Sequence, residues 1–255
     1  MEENKTIDLE QTEEIKEVKV YASRETLIDD VIKLCSIPSL SGFEYRASEK
    51  VREIYEGKFD EIYTDLVGNQ VLVRRCGREG APKILVDAHM DEVGMMITYI
   101  NSDGTLDFDC VGGIDKRVML GKPVKVGENR VNGVIGVKAV HMVPADEKLK
   151  MPSTMYIDIG ADSEEDAEKV VCVGDYACFN SDFVEYGDGF IKGKALDDRA
   201  GCAILIEMIR SELEYDCWFS FSTQEEIGTR GAQTAAFTVA PDYAIVVETT
   251  TDLRY

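Results

Sequence analysis

The chain has 255 residues, 44% hydrophobic and 30% charged, enough to bury a substantial core as one large domain or two smaller ones. Its 28 basic residues face 49 acidic ones, a formal charge of −21, which argues against nucleic acid or an anionic membrane as partner. The seven cysteines are odd in number and lack a C-x-x-C pair, so they read as reduced thiols; with no signal peptide or membrane-length apolar run, the cytoplasm is the expected address.

Residues 1–22 are acid-rich with weak periodicity and read as a loose extension. Ser23 is a plausible N-cap for a helix whose inner face carries Leu27, Val31, Ile32 and Cys35. Ser41 with Glu44 makes a capping-box pattern for a second helix, with Phe43, Ala47, Val51 and Ile54 inward. Strand-like pieces follow near 59–64, 69–75 and 83–88. From 95 to 187 the style changes to short β-type runs broken by turn residues such as Asn101-Ser102-Asp103-Gly104 and Gly121-Lys122-Pro123. This predicts a small β-barrel or sandwich inserted into the host sheet. One short helix is expected at 163–170, capped by Ser163.

After Gly193 the α/β style returns. A helix starting just after Leu196-Asp197-Asp198 should turn Ala200, Ile204, Leu205, Met208 and Ile209 inward. Trp218–Ser222 reads as a strand, Ala232–Phe237 as the start of a helix and Tyr243–Val247 as a buried strand. Residues 23–94 and 188–255 would then form one α/β domain around the insert. Eight residues after the last strand supply no covering helix, so the 255 residues are expected to be part of a longer chain.

The chemistry concentrates at element boundaries. His89-Met90-Asp91-Glu92-Val93-Gly94 follows the apolar run Ile84-Leu85-Val86, where a core strand should emerge. Open α/β sheets assemble their sites at such strand ends. Neutral imidazole is a good zinc or cobalt ligand, and a carboxylate two residues on can fix its tautomer. On this stretch alone, a core histidine beside a solvated acidic turn fits equally well. Asp197-Asp198 opens a helix, where simple capping is the alternative. Glu225-Glu226 follows the Trp218 strand and Glu248 ends the run Ala244–Val247; each alone could be solvated. Together, one histidine and four acidic points would converge on one sheet edge, as a site for two divalent ions with a free carboxylate as base requires.

Three segments carry a resemblance: Ala88–Gly94, Gly193-Lys194-Ala195-Leu196-Asp197-Asp198-Arg199-Ala200-Gly201 and Thr223-Gln224-Glu225-Glu226-Ile227-Gly228-Thr229-Arg230-Gly231-Ala232. In order and separation the chain resembles the cytosolic dinuclear metalloaminopeptidases that form tetrahedral particles, metallopeptidase family 42, the glutamyl-aminopeptidase-like group. The likeness runs more weakly from about residue 24 to the end.

The resemblance implies a phosphorylase/hydrolase-like mixed α/β sheet with helices on both faces, interrupted by a small β-barrel that pairs subunits. It implies Asp197 as a bridging ligand, often joined to the next Asp by a cis peptide. His89 and Glu248 would complete one metal and Glu226 would serve the other. Asp91 would orient His89, and Glu225 would be the general base. Peptides are the implied substrates, two zinc or cobalt ions per subunit the implied cofactors, and a dodecamer the implied assembly of the full-length protein.

Two departures bear on this. The family pattern has a further metal-ligating histidine past residue 255, so the second ion is left with Asp197 and Glu226. His141 lies inside the insert and is expected to pack or hydrogen-bond locally rather than replace that ligand. The competing expectations are a deacylase of the same clan, a non-catalytic assembly subunit, and an endoglucanase. Paired carboxylates can cut glycosides, but that chemistry explains neither His89 nor a bridging Asp.

Overall fold

The computed structural model describes residues 23–55, 59–137 and 155–250. His141 and the acid-rich extension 1–22 lie outside the described residues. Helix α1 (Arg24–Cys35) starts as the sequence predicts, with Ser23 Oγ accepting the Thr26 N–H at 3.2 Å. Helix α2 (Tyr45–Ile54) does not. Glu44 is its N-cap residue but makes no side-chain cap bond, and Ser41 Oγ turns away to donate to Asp91. The capping-box pattern is present, and its side chains serve another part of the molecule.

Strands β1 (Glu61–Thr64), β2 (Gln70–Arg74) and β3 (Lys83–His89) follow. Then come β4 (Gly94–Ile100), β5 (Leu106–Val111), β6 (Pro123–Val126), β7 (Val131–Val137), β8 (Met155–Asp158) and β9 (Tyr176–Phe179), with helix α3 (Glu164–Ala167) between the last two. Ser163 caps α3 as expected, through the Asp166 N–H. The hairpin β10 (Val184–Tyr186) and β11 (Phe190–Lys192) leads to α4 (Leu196–Arg210), β12 (Asp216–Ser222), α5 (Arg230–Val239) and β13 (Tyr243–Val246).

Five strands form one mixed sheet in the order β1-β2-β12-β3-β13. The three strands β12, β3 and β13 run parallel, while β2 is antiparallel to both β1 and β12. Alternation along β3 splits the core. Val86 and Ala88 face α1 and α4 with Leu34, Leu205 and Ile209, while Leu85 lies beside Trp218 of β12 and packs with Val239 of α5. Helices therefore cover both faces. Between β3 and β12 in sequence, β4-β5-β8-β7-β6-β9 close into a barrel packed with Met95, Ile97, Leu106, Val126 and Ile157.

Two burial expectations are corrected. Strand β13 is exposed along its length, with Tyr243 66% and Val246 65% accessible, because among the described residues it pairs with β3 alone. On α4 the inner stripe is Cys202, Ala203, Leu205, Ile206 and Ile209, and Ile204 is exposed. All seven cysteines are free thiols. No helix among the described residues is long and apolar enough to cross a membrane.

Candidate metal centre

Strand register brings the acidic points together. His89 ends β3 directly beside Ser222, the last residue of β12, and the Met90 N–H donates to Ser222 O at 2.8 Å. Glu225 and Glu226 lie in the loop that leaves β12. Beyond β13, the Val247 N–H donates to Asp87 O at 2.9 Å, which sets Glu248 at the same sheet edge. Asp197 and Asp198, joined by a cis peptide bond, open α4. All of these stand at the carboxyl ends of parallel strands or at a helix start, the place expected of a site in an open sheet.

His89 is buried and stands at the centre of the group. Its Nε2 lies 3.1 Å from Asp197 Oδ1, 3.7 Å from Glu248 Oε1 and 3.9 Å from Glu225 Oε2. Donor atoms of His89, Asp197 and Glu248 all fall within 4.8 Å of one another. One imidazole nitrogen and two carboxylate oxygens at that spacing fit a divalent cation such as zinc. Glu226 stands beside this trio rather than in it; its Cβ approaches Gly112 of the barrel, and its carboxyl feels the charges of Asp197 and Asp91.

Asp91 is fully buried behind the histidine, with Oδ1 3.4 Å from His89 Nδ1. The backbone oxygen of Asp91 also lies 3.2 Å from Nδ1. Its carboxylate accepts the Ser41 hydroxyl at 2.5 Å and the N–H groups of Glu225 and Glu226 at 3.0 and 3.2 Å. Ser41 was invisible to sequence reasoning because its spacing from Glu44 mimics a helix cap.

The electrostatics describe excess negative charge. Burial disfavours the His89 imidazolium, yet the hydrogen-bonded Asp91 carboxylate, with Glu248 and Asp198 nearby, outweighs it and raises the His89 pKa to about 10. Burial pushes the Asp198 carboxyl up to about 7, with the Glu248 charge adding to it. Burial likewise pushes Glu226 up to about 7; His89 opposes this while Asp197 and Asp91 reinforce it. Glu248 is also raised, chiefly by burial, against the pull of His89. Burial would raise Asp91 too, but the hydrogen bonds from His89, Ser41 and the Glu225 N–H prevail and hold it below the usual carboxylate range. A cation among these groups would relieve the repulsion.

One buried and one half-buried cation brace the frame. Arg199 is wholly buried and donates to Met90 O at 2.8 Å and Leu34 O at 2.6 Å, tying the His89–Asp91 segment to the end of α1. Lys194 donates to Glu92 Oε1 at 2.7 Å and to Ile37 O at 3.0 Å. Neither role was legible beforehand, since arginine and lysine are ordinarily surface residues. Gly201 has a local reason: a Cβ there would meet Asp198 Oδ2 at 2.3 Å, where the Asp198 side chain folds back to accept the Gly201 N–H.

The sequence profile of the M42 glutamyl aminopeptidase family matches residues 68–254. A curated relative from Acetivibrio thermocellus is 42% identical over 228 residues, 89% of this chain and 67% of that one. A TET aminopeptidase from a marine sediment Thaumarchaeota archaeon superposes with a TM-score of 0.85 at 35% identity, covering 91% of this chain and 67% of that one. The TET1 peptidase of Pyrococcus horikoshii, described as able to assemble into a tetrahedron or a large octahedral shell, gives 0.76 at 35% identity over 87% of this chain and 68% of that one. The chain spans 62 to 67% of the length of the first curated relatives it matches. By profile, relatives and fold, the chain belongs to the M42 glutamyl aminopeptidase family.

Proposed function

We propose that this protein is a metal-dependent aminopeptidase that removes N-terminal residues from peptides at a dinuclear metal site. One observation carries the reading: donor atoms of His89, Asp197 and Glu248 lie within 4.8 Å of one another, and Glu225 Oε2 reaches to 3.9 Å from the same imidazole nitrogen. His89 and Glu248 would hold one ion, Glu226 the other, and Asp197 would bridge them. Divalent ions held there would supply Lewis acidity for the scissile carbonyl, its developing oxyanion and a water molecule.

The chain's own residues do the rest. Glu225, with its side chain 30% exposed, can reach an attacking water, take its proton and deliver that proton to the leaving amine. Asp91 holds the imidazole ring and the Glu225 backbone in one hydrogen-bonded unit. A carboxylate of the cluster would pair with the free α-amine of the peptide, which makes the enzyme an exopeptidase. Nitrogen and carboxylate donors suit zinc or cobalt. The closed barrel between β3 and β12 is the proposed inserted domain through which subunits pair, with a dodecamer as the full-length assembly. The seven free thiols support a cytoplasmic address.

A panel of peptides with free and acetylated N-termini tests the reading, assayed with zinc or cobalt and again with chelator. Release of N-terminal residues from the free-amine peptides only, abolished by chelator, is expected. Turnover of N-acyl substrates instead would reassign the site as a deacylase, and chelator-insensitive release would remove the metal from the account.

A further inference from the structure

The loop that carries Glu225 and Glu226 is held in an unusual way. Four consecutive backbone N–H groups are each accepted by a buried side chain. Thr223 N–H donates to Asn69 Oδ1 at 2.9 Å and Gln224 N–H to Glu44 Oε1 at 3.0 Å. Glu225 and Glu226 donate to the two oxygens of Asp91 at 3.0 and 3.2 Å. Asn69 is 0% and Glu44 6% exposed, so water competes little for these bonds. Gln224 takes φ +56, a left-handed conformation rarely adopted outside glycine, and its N–H is the one Glu44 holds.

Glu44 itself is fixed. Its Oε1 also accepts the Gly42 N–H at 2.7 Å, within the segment 39–44 that crosses the exits of β3 and β12. That segment is pinned to the site along its length. Ser39 N–H donates to Glu92 Oε1 at 3.0 Å, Leu40 bridges to Glu92, and Ser41 Oγ donates to Asp91. The Ser41–Glu44 pair therefore reaches the Glu225 loop twice, through Asp91 and directly at Gln224.

We propose that Glu44 is a positioning residue of the reaction: its carboxylate holds the Gln224 N–H, fixes the left-handed turn and so aims the Glu225 carboxylate at the donor cluster. This rests on the reading of Glu225 as general base. Glu44 touches neither the donor trio nor Glu225's carboxylate in this arrangement, and it acts through the backbone. The role needs only an acceptor oxygen, which glutamine retains and alanine does not.

The test compares Glu44→Ala with Glu44→Gln by amide hydrogen exchange across residues 223–226 and by peptide kcat and KM in the zinc- or cobalt-loaded protein. Glu44→Ala should speed exchange at Gln224 about tenfold or more, since the opened turn exposes that amide. It should also lower kcat about tenfold to a hundredfold, with KM within about threefold, the effect of misaiming a base rather than losing binding. Glu44→Gln should restore both. Unchanged exchange at Gln224 in Glu44→Ala, or a Glu44→Gln variant as impaired as Glu44→Ala, overturns the proposal. Should the alanine variant not fold, Glu44→Asp, one methylene shorter, makes the same comparison. In a Glu225→Gln background, Glu44→Ala should cost less than about threefold further in kcat. A Glu225→Gln variant as active as the parent would dismiss the base assignment, while the exchange result still decides whether Glu44 anchors the turn.

Discussion

Asp91 Oδ1 both faces His89 Nδ1 at 3.4 Å and accepts the Glu225 backbone N–H at 3.0 Å, so one buried carboxylate sets the proposed metal ligand and the proposed base relative to each other. The two come from different strands, β3 and the exit of β12. Parallel pairing places those strands side by side, and Asp91 locks their ends.

Replacing Asp91 by Asn keeps one acceptor oxygen and puts an NH2 group where an oxygen now accepts. Either the Glu226 N–H or the Glu225 N–H then faces a donor, and His89 loses its charged partner. Metal affinity should fall about 10- to 100-fold. Stability should fall by about 1–3 kcal/mol, the cost of leaving a buried polar group unpaired. Isothermal titration and urea unfolding read the two effects; an affinity unchanged in the variant would contradict the orienting role.

Glu225→Gln retains the backbone bond to Asp91, because that bond uses the Glu225 N–H. Metal stoichiometry should therefore stay at the parent value while kcat drops about 10²- to 10⁴-fold, the range for losing a general base. Near-parental kcat in the variant removes Glu225 from the chemistry.

The pH dependence of the metal-free protein has a definite sign. The pKa of His89 is raised to about 10, and those of Asp198 and Glu226 to about 7, above their unfolded values. For each, the folded state binds the proton more tightly, so its contribution is fullest below the unfolded pKa and is lost as pH rises through the folded one. Asp91, held low, acts oppositely and loses its contribution only as pH falls through its depressed pKa. Urea midpoints in chelator should decline from about pH 5 to pH 10. Saturating zinc should flatten that decline, since metal takes the place of protons on these groups. Midpoints that rise with pH in chelator would contradict the charge balance described here.

Much of this site could be read beforehand for a physical reason. His89, Asp197, Glu225, Glu226 and Glu248 each adjoin an apolar run or a helix start, and the ends of parallel strands converge whatever the details of packing. The unreadable parts depend on contacts distant in sequence. An apolar run such as Tyr243–Val246 looks the same in a central strand and at an edge, and only its partners decide that it is exposed. The Ser41–Glu44 spacing satisfies a local capping rule, while the acceptors and donors it meets come from residues 91 and 224. Closure of the barrel through β4 and β9 is equally non-local, which left barrel and sandwich both open.

Arg199 offers a test that is read in stability rather than in turnover. Its guanidinium donates to two carbonyls, one on α1 and one just past β3, from a fully buried position. Arg199→Ala should destabilise by about 3 kcal/mol or more, because both carbonyls lose a charged donor. Arg199→Lys should recover only part of this, since an ammonium lacks the fork that spans both acceptors. Denaturant midpoints of the three proteins check the order; a lysine variant as stable as the parent would show that one contact suffices.

The most direct test of the metal centre is metal content per chain after zinc or cobalt loading and desalting, measured beside Asp197→Ala. Tightly held ions are expected in the parent, two when the Glu226 side also closes, and their loss in the variant that lacks the proposed bridging carboxylate. A parent that retains no ion, or a variant that retains as many as the parent, would contradict the assignment of His89, Asp197 and Glu248 as a metal site.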